Sequence, residues 1–456
     1  MSFPRYPEYK DSGVEWLGEV PDHWEVVRVR WLCEIKKRIV GELGFDVLSI
    51  TQRGIRIKDT ESNDGQLSMD YSKYQLVEVG DFAMNHMDLL TGYVDISPVQ
   101  GVTSPDYRVF SLRNPVRCHA KFFLYLFQNG YLNKVFYPFG QGSSQLGRWR
   151  LPTEQFNDFW FPVPSFEEQS AIATFLDRET AKIDALVAEQ EKLIALLQEK
   201  RQAVISHAVT KGLDPNVPMK DSGVEWLGEV PEHWEVKRLK QLSDEPLKYG
   251  ANEAAELDDP SLPRFVRITD VTEGGSLREE TFRSLPREIA EPFLLREGDV
   301  LLARSGGTVG KSFMYQRHWG EACFAGYLIR VRLSQRLCAP QWLNYFCRTN
   351  SYWSYVLGSQ IQSTIQNVSA EKYANIFLPV PAIEEQQRVI ECLDQATSKI
   401  DALVTEARTA ITLLQERRTA LISAAVTGQI DVRGLAGGAN APDSIAASAY
   451  TACAGG

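Results

Sequence analysis

No run of apolar residues in this 456-residue chain reaches the roughly 18 that a membrane-spanning helix needs. The opening MSFPRYPEYKDSG lacks the basic and apolar regions of a signal peptide, so a cytoplasmic location is expected. The seven cysteines (Cys33, Cys118, Cys323, Cys338, Cys347, Cys392, Cys453) never fall into a CxxC pair. That spacing argues against a disulfide framework or a zinc knuckle and leaves them as core or surface residues. Six histidines make no ligand pattern. The motifs GxGxxG, HExxH, GxSxG and Asn/Asp-Pro-Pro-aromatic are all missing, so no dinucleotide, zinc-protease, hydrolase or adenine-methylating site is expected on this chain. A positive excess is missing too: the net charge is −10. Taken whole, this opposes contact with a polyanion. Residues 30–160, however, carry 15 basic against 14 acidic side chains, and residues 240–377 carry 16 against 16.

The acidity belongs to segments that repeat. Residues 10–29, KDSGVEWLGEVPDHWEVVRV, return at 220–239 with 17 of 20 positions identical. Residues 161–214 return at 378–431 with 29 of 54 identical. Between these blocks the two copies differ almost throughout, apart from Gly80-Asp81 against Gly298-Asp299 and LPTEQFNDFWFPVP against VSAEKYANIFLPVP. A duplicated frame therefore holds two unlike inserts, an arrangement suited to gripping one partner twice while reading two different things.

From Glu167 to about Val209 the chain has no Pro or Gly and is rich in Ala, Leu, Glu, Lys and Gln, which predicts one long helix. Ser165 with Glu168 is a capping-box pattern at its start. Ile183, Val187, Ile194, Leu197 and Val204, with Gln190 and Arg201 between them, keep coiled-coil spacing. Ile400, Val404, Ile411, Leu414 and Leu421 repeat it, so the two helices are expected to pack antiparallel, two independent helical hairpins being the alternative. Each insert shows short β-type runs and short helices. The fold class expected is α+β: two mixed α/β recognition domains separated by a long antiparallel two-helix coiled coil, as a pseudo-twofold internal repeat. The segments expected are 1–160 and 215–377 for each repeat block with its insert, 161–214 and 378–433 for the long helices, and 434–456 for a small-residue, disordered tail.

Two loops at matching places in the inserts mix cations, aromatics and amides. The first, QGSSQLGRWRLP, offers Gln141, Ser143, Ser144, Gln145, Arg148, Trp149 and Arg150. The second, GSQIQSTIQNVS, offers Gln360, Gln362, Ser363, Thr364, Gln366 and Asn367. Arg pairs with guanine, Gln and Asn with adenine, Ser and Thr with bases or phosphate, so these are candidate DNA contacts; ordinary solvated loops are the plainer reading. SGGTVGKS at 305–312 is one residue short of a phosphate-binding loop. The strand-like Phe313-Met314-Tyr315 behind it predicts a turn between strands, with Arg304 and Lys311 free for backbone phosphates. In the frame, Trp16, His23 and Trp24 recur as Trp226, His233 and Trp234, which suits packing or partner docking.

The phrase SGVEWLGEVPxHWEV ahead of each insert, PVPxxEEQxxxxxxLD opening each helix, KIDALVxE and LLQExRxAxISxAVT within it, and GDVLLARSGGTVGK resemble the specificity subunit of type I restriction-modification systems. The resemblance covers nearly the whole chain. It implies a non-catalytic DNA-recognition subunit whose bipartite, asymmetric target is read one half per domain across a spacer. It further implies double-stranded DNA, two methyltransferase subunits and two ATP-driven restriction-translocase subunits as partners. S-adenosylmethionine, ATP and Mg2+ would then sit in those partners, with no cofactor or metal on this chain. A scaffold whose inserts bind other proteins and never touch DNA stays open, as does a nuclease or NTPase built on the loop at Ser305.

Overall fold

The structure, a computed structural model, describes residues 3–52, 54–59, 70–142, 149–254, 256–272, 275–360 and 367–435. The sequence expected to be a disordered tail thus lies outside the described residues from 436 onward. The chain divides into two compact units, Met1–Gln190 with Thr409–Gly456, and Glu191–Arg408. The division runs through both long helices, where the sequence suggested separate helical segments. The physical reason is that the two halves of each helix bury their apolar stripes in different cores.

In the first unit, strand Glu25–Arg28 pairs antiparallel with Trp160–Val163, which ties the two ends of the first insert together. The insert is built on a four-stranded antiparallel sheet in the order Cys33–Lys36, Arg108–Leu112, Phe82–Met84, Val94–Ile96. Phe82 stacks on Phe110 across it, and both pack on Phe127 of the helix Ala120–Leu132. Rings of this size carry much of the core's burial energy.

The second unit repeats the plan. Glu235–Arg238 pairs with Phe377–Val380, and the central sheet runs Lys248–Tyr249, Leu328–Val331, Val300–Ala303, Ser312–Met314. A parallel pair, Arg264–Val266 with Ala322–Phe324, has a single-bridge counterpart in the first unit, where Val47 bridges Val102 in parallel. The shared Gly-Asp is a structural device: Asp81 accepts from Glu78 N at 2.9 Å and Asp299 from Arg296 N at 2.8 Å. Each Asp is buried and pairs with an arginine, Arg38 or Arg332.

The first long helix spans Phe166–Lys211 and the second Ile383–Val426. Within the first unit, Ile172, Phe175 and Leu176 near the start of one share a core with Leu421, Ile422, Ala425 and Val426 near the end of the other. Further along, Arg418 Nε meets Asp184 at 2.9 Å, so these segments run antiparallel. Within the second unit Ile205, Ala208 and Val209 pack with Val389, Ile390 and Leu393, and Arg201 Nε meets Asp401 at 3.2 Å. Ile183, Leu197, Ile400 and Leu421 are buried, and the other seam positions, Gln190 and Arg201 included, are half-buried. Helices of different copies pack together, which excludes independent hairpins.

The first unit is closed by distant chain segments. Asp431 N donates to Pro4 O at 2.8 Å and Tyr9 Oη to Gly428 O at 3.0 Å. In the second unit the matching joint is continuous chain, from Gly212 into the hairpin of Met219–Asp221 and Glu229–Pro231. No helix among the described residues is long and apolar enough to cross a membrane.

Candidate nucleic-acid interface

The same backbone joint forms in both units. The hairpin loop leaving the sheet at Met84 and the polar loop returning at Leu151 meet through Leu151 N, which donates to His86 O at 2.9 Å. In the second unit Val368 N donates to Arg304 O, also at 2.9 Å. Counted from the shared Gly-Asp, His86 stands where Arg304 stands. Counted from the shared closing run, Arg150 stands where Asn367 stands. One scaffold thus presents His86 with Arg150 in one unit, and Arg304 with Asn367 in the other.

Around the first joint lies an open groove of about 1060 Å³, lined by Lys58, Tyr71, Asn85, Asp88, Gln141 and Arg150 among others. Gln141 and Arg150 exchange backbone hydrogen bonds of 2.8 and 3.0 Å. Both side chains are exposed. Trp149 turns inward instead: its Nε1 donates to Tyr137 O at 2.8 Å and its ring packs on the core. Arg108, buried in the sheet, donates from Nη2 to Leu151 O at 3.0 Å and to Thr153 Oγ1 at 3.3 Å, bracing the joint from beneath. Burial lowers its pKa to about 10. Burial, with the Arg108 charge beside it, also pushes the His86 imidazole down to about 3.

At the second joint Ser305 bridges to Asn367. Arg304 lies over the Tyr249 ring, 4.7 Å from its centroid, and Lys311 is exposed. The near-miss phosphate loop is a hairpin turn: Ser312–Met314 runs antiparallel to Val300–Leu302, and Ala303 N donates to Lys311 O at 2.8 Å. No helix opens behind it, so it lacks the dipole and free N–H groups that a phosphate cradle requires. Ser143, Ser144, Gln145 and Arg148, like Gln362, Ser363, Thr364 and Gln366, lie outside the described residues. Gln360 ends the helix Asn350–Gln360. Sequence reasoning missed His86, Arg108 and Tyr249, although the offset from Gly-Asp to Gly-Asp already places His86 against Arg304.

The frame holds a second matched arrangement. Glu168, buried in the first turn of its helix, accepts from Trp24 Nε1 at 3.1 Å and pairs with His23 Nε2 at 2.9 Å. Glu385 does the same with Trp234 and His233, at 3.1 and 3.0 Å. Of the capping box expected at the first helix, the Ser165 half forms, Glu168 N donating to Ser165 Oγ at 3.3 Å, while the Glu168 carboxylate serves the indole. Trp24 and Trp234 are fully buried, so of the packing or partner docking expected of them both rings serve packing. His23 and His233 remain about half exposed. Trp16 stacks on Phe159, and Trp226 leans on Tyr355. Among the described residues no group of His, Cys, Asp and Glu could hold a metal ion.

Comparison with known proteins agrees with this arrangement. The type I restriction modification DNA specificity domain matches twice, over residues 21–195 and 231–413. The type I restriction enzyme EcoBI specificity subunit of Escherichia coli is 22% identical over 323 residues, 68% of this chain and 66% of that protein. The MjaVIII specificity subunit of Methanocaldococcus jannaschii is 23% identical over 450 residues, 91% of this chain and 95% of that protein. A chain solved in work on complex assembly and conformational transition of the type I R-M system has a similar fold. Its TM-score is 0.65 at 15% identity, covering 89% of this chain and 98% of that one. With two copies of the specificity domain on a duplicated frame, the chain belongs to the family of type I restriction-modification specificity subunits.

Proposed function

We propose that this specificity subunit reads a bipartite, asymmetric DNA target, one half-site with each unit, and positions two methyltransferase and two restriction-translocase subunits on it. The observation that carries this reading is the matched joint: one hydrogen bond fixes the loops in both units, while the side chains it presents are unlike. Two copies of one docking geometry with different donors and acceptors suit two half-sites of different sequence. The repeated frame, with its exposed His23 and His233, suits a partner that binds twice. Base methylation requires the adenine to leave the helix, and by family resemblance that step, with its S-adenosylmethionine, belongs to the methyltransferase partner. ATP and Mg2+ belong by the same reading to the restriction subunits, and the assembly works in the cytoplasm.

The test is equilibrium binding of the chain, assembled with its methyltransferase partner, to duplexes in which each half-site is scrambled in turn. Either scramble is expected to weaken binding, and the native target is expected to show a steep salt dependence from phosphate contacts. Affinity indifferent to both sequence and salt would favour a protein-binding scaffold instead.

A further inference from the structure

We infer that Arg304 is a base-reading residue whose guanidinium donates to O6 and N7 of one guanine in the half-site served by residues 191–408. This rests on the DNA-reading role proposed above. Its main chain is fixed on both sides, N donating to Tyr327 O at 3.0 Å and O accepting from Val368 N at 2.9 Å. The guanidinium carbon lies 4.7 Å from the centroid of the Tyr249 ring, whose hydroxyl accepts from Ala370 N at 2.9 Å. Ala370 opens the short helix that closes the insert, so the aromatic platform is bolted to the frame end of the domain.

Among the described residues no carboxylate pairs with the charge on this platform. Arg264, Arg267, Arg287, Arg330 and Arg332 of the same unit each pair with a Glu or Asp, whereas Arg304, like Arg278, Arg296, Arg317 and Arg336, forms no ion pair among the described residues. Its Nε is buried without a partner among the described residues, as is Oδ1 of the neighbouring Asn367. Seating on the ring limits side-chain freedom before any ligand arrives and favours a set orientation of a fork-shaped donor. A phosphate contact asks for charge and tolerates any plane; exposed Lys311, on the same hairpin, suits that role. A fork so oriented suits two acceptors side by side, which guanine offers in the major groove, whereas adenine sets the N6 donor beside N7. In the first unit the same position is His86, kept neutral near pH 7 by burial and Arg108. The contact therefore belongs to one half-site only.

The experiment uses the complete methyltransferase assembly and duplex targets in which each guanine is replaced singly by 7-deazaguanine, which lacks the N7 acceptor. For the wild type, one replacement on the side of the second unit is expected to weaken binding on the order of tenfold. Arg304→Ala is expected to bind that replaced duplex and the native one alike, and Arg304→Gln, which keeps the stem on Tyr249, gives the same readout if the alanine variant fails to fold. No sensitive guanine in the wild type, or undiminished sensitivity in the variants, would overturn the assignment. So would a loss equal for every sequence with a salt slope lower by about one, the mark of a phosphate contact. A wild type unable to tell the target from a scrambled duplex would instead overturn the DNA-reading role.

Discussion

Glu168 and Glu385 sit at equivalent places yet differ in burial, with 4% and 22% of the side chain exposed. Removing either carboxylate leaves a fully buried indole N–H without its acceptor, and an unmet buried donor costs about 1–3 kcal/mol. Glu168→Ala is expected to fall at the upper end of that range and Glu385→Ala, where water can reach, at the lower; denaturant unfolding of the two variants measures both. His86 gives a pH signature. Its pKa falls from 6.5 to about 3 on folding, so between those values the unfolded chain binds the extra proton. The stabilisation is complete above about pH 6.5 and drains away as pH drops toward 3. His86→Gln is expected to flatten the stability profile of the first unit across that window, and an unchanged slope would show that the imidazole is protonated when folded. At this scale the polar character of the two loops was legible from composition. The roles of Trp149, Trp24 and Trp234 were not, because a tryptophan in a polar or repeated phrase reads the same whether its ring faces solvent or the core.

The long helices were the most legible elements, since a seam of three-and-four spacing survives any tertiary context: Ile183, Leu197, Ile400 and Leu421 are buried where the pattern put them. The partner half of each helix was harder to foresee. Only the closed core shows that Leu421 and Ile422 serve the unit that begins at the other end of the sequence. The central strands Phe82–Met84 and Val300–Ala303 are buried along their whole length, so alternation could not give their register. Two glycines test the closing joint. A Cβ at Gly428 would stand 2.4 Å from Pro21 Cδ, whereas at Gly212 the nearest atom, on Trp234, is 3.3 Å away. Both have positive φ, 77° and 79°. Gly428→Ala therefore carries both backbone strain and overpacking, about 2–4 kcal/mol, and Gly212→Ala mainly strain, about 1–2 kcal/mol. Hydrogen exchange is expected to report a larger loss of protection around Trp24 in the former than around Trp234 in the latter.

For the whole molecule, the charge distribution and the repeat point to the same division of labour. The acidic frame recurs recognisably and holds the paired helices, while near-neutral inserts carry unlike side chains on one backbone joint. The central claim is that each insert specifies its own half-site. Replacing residues 30–160 with the corresponding insert of another specificity subunit, and sequencing the methylome of a host that expresses the assembled system, tests it most directly. One half of the methylated target is expected to change while the other half stays as it was; a change in both halves, or in neither, would contradict the account.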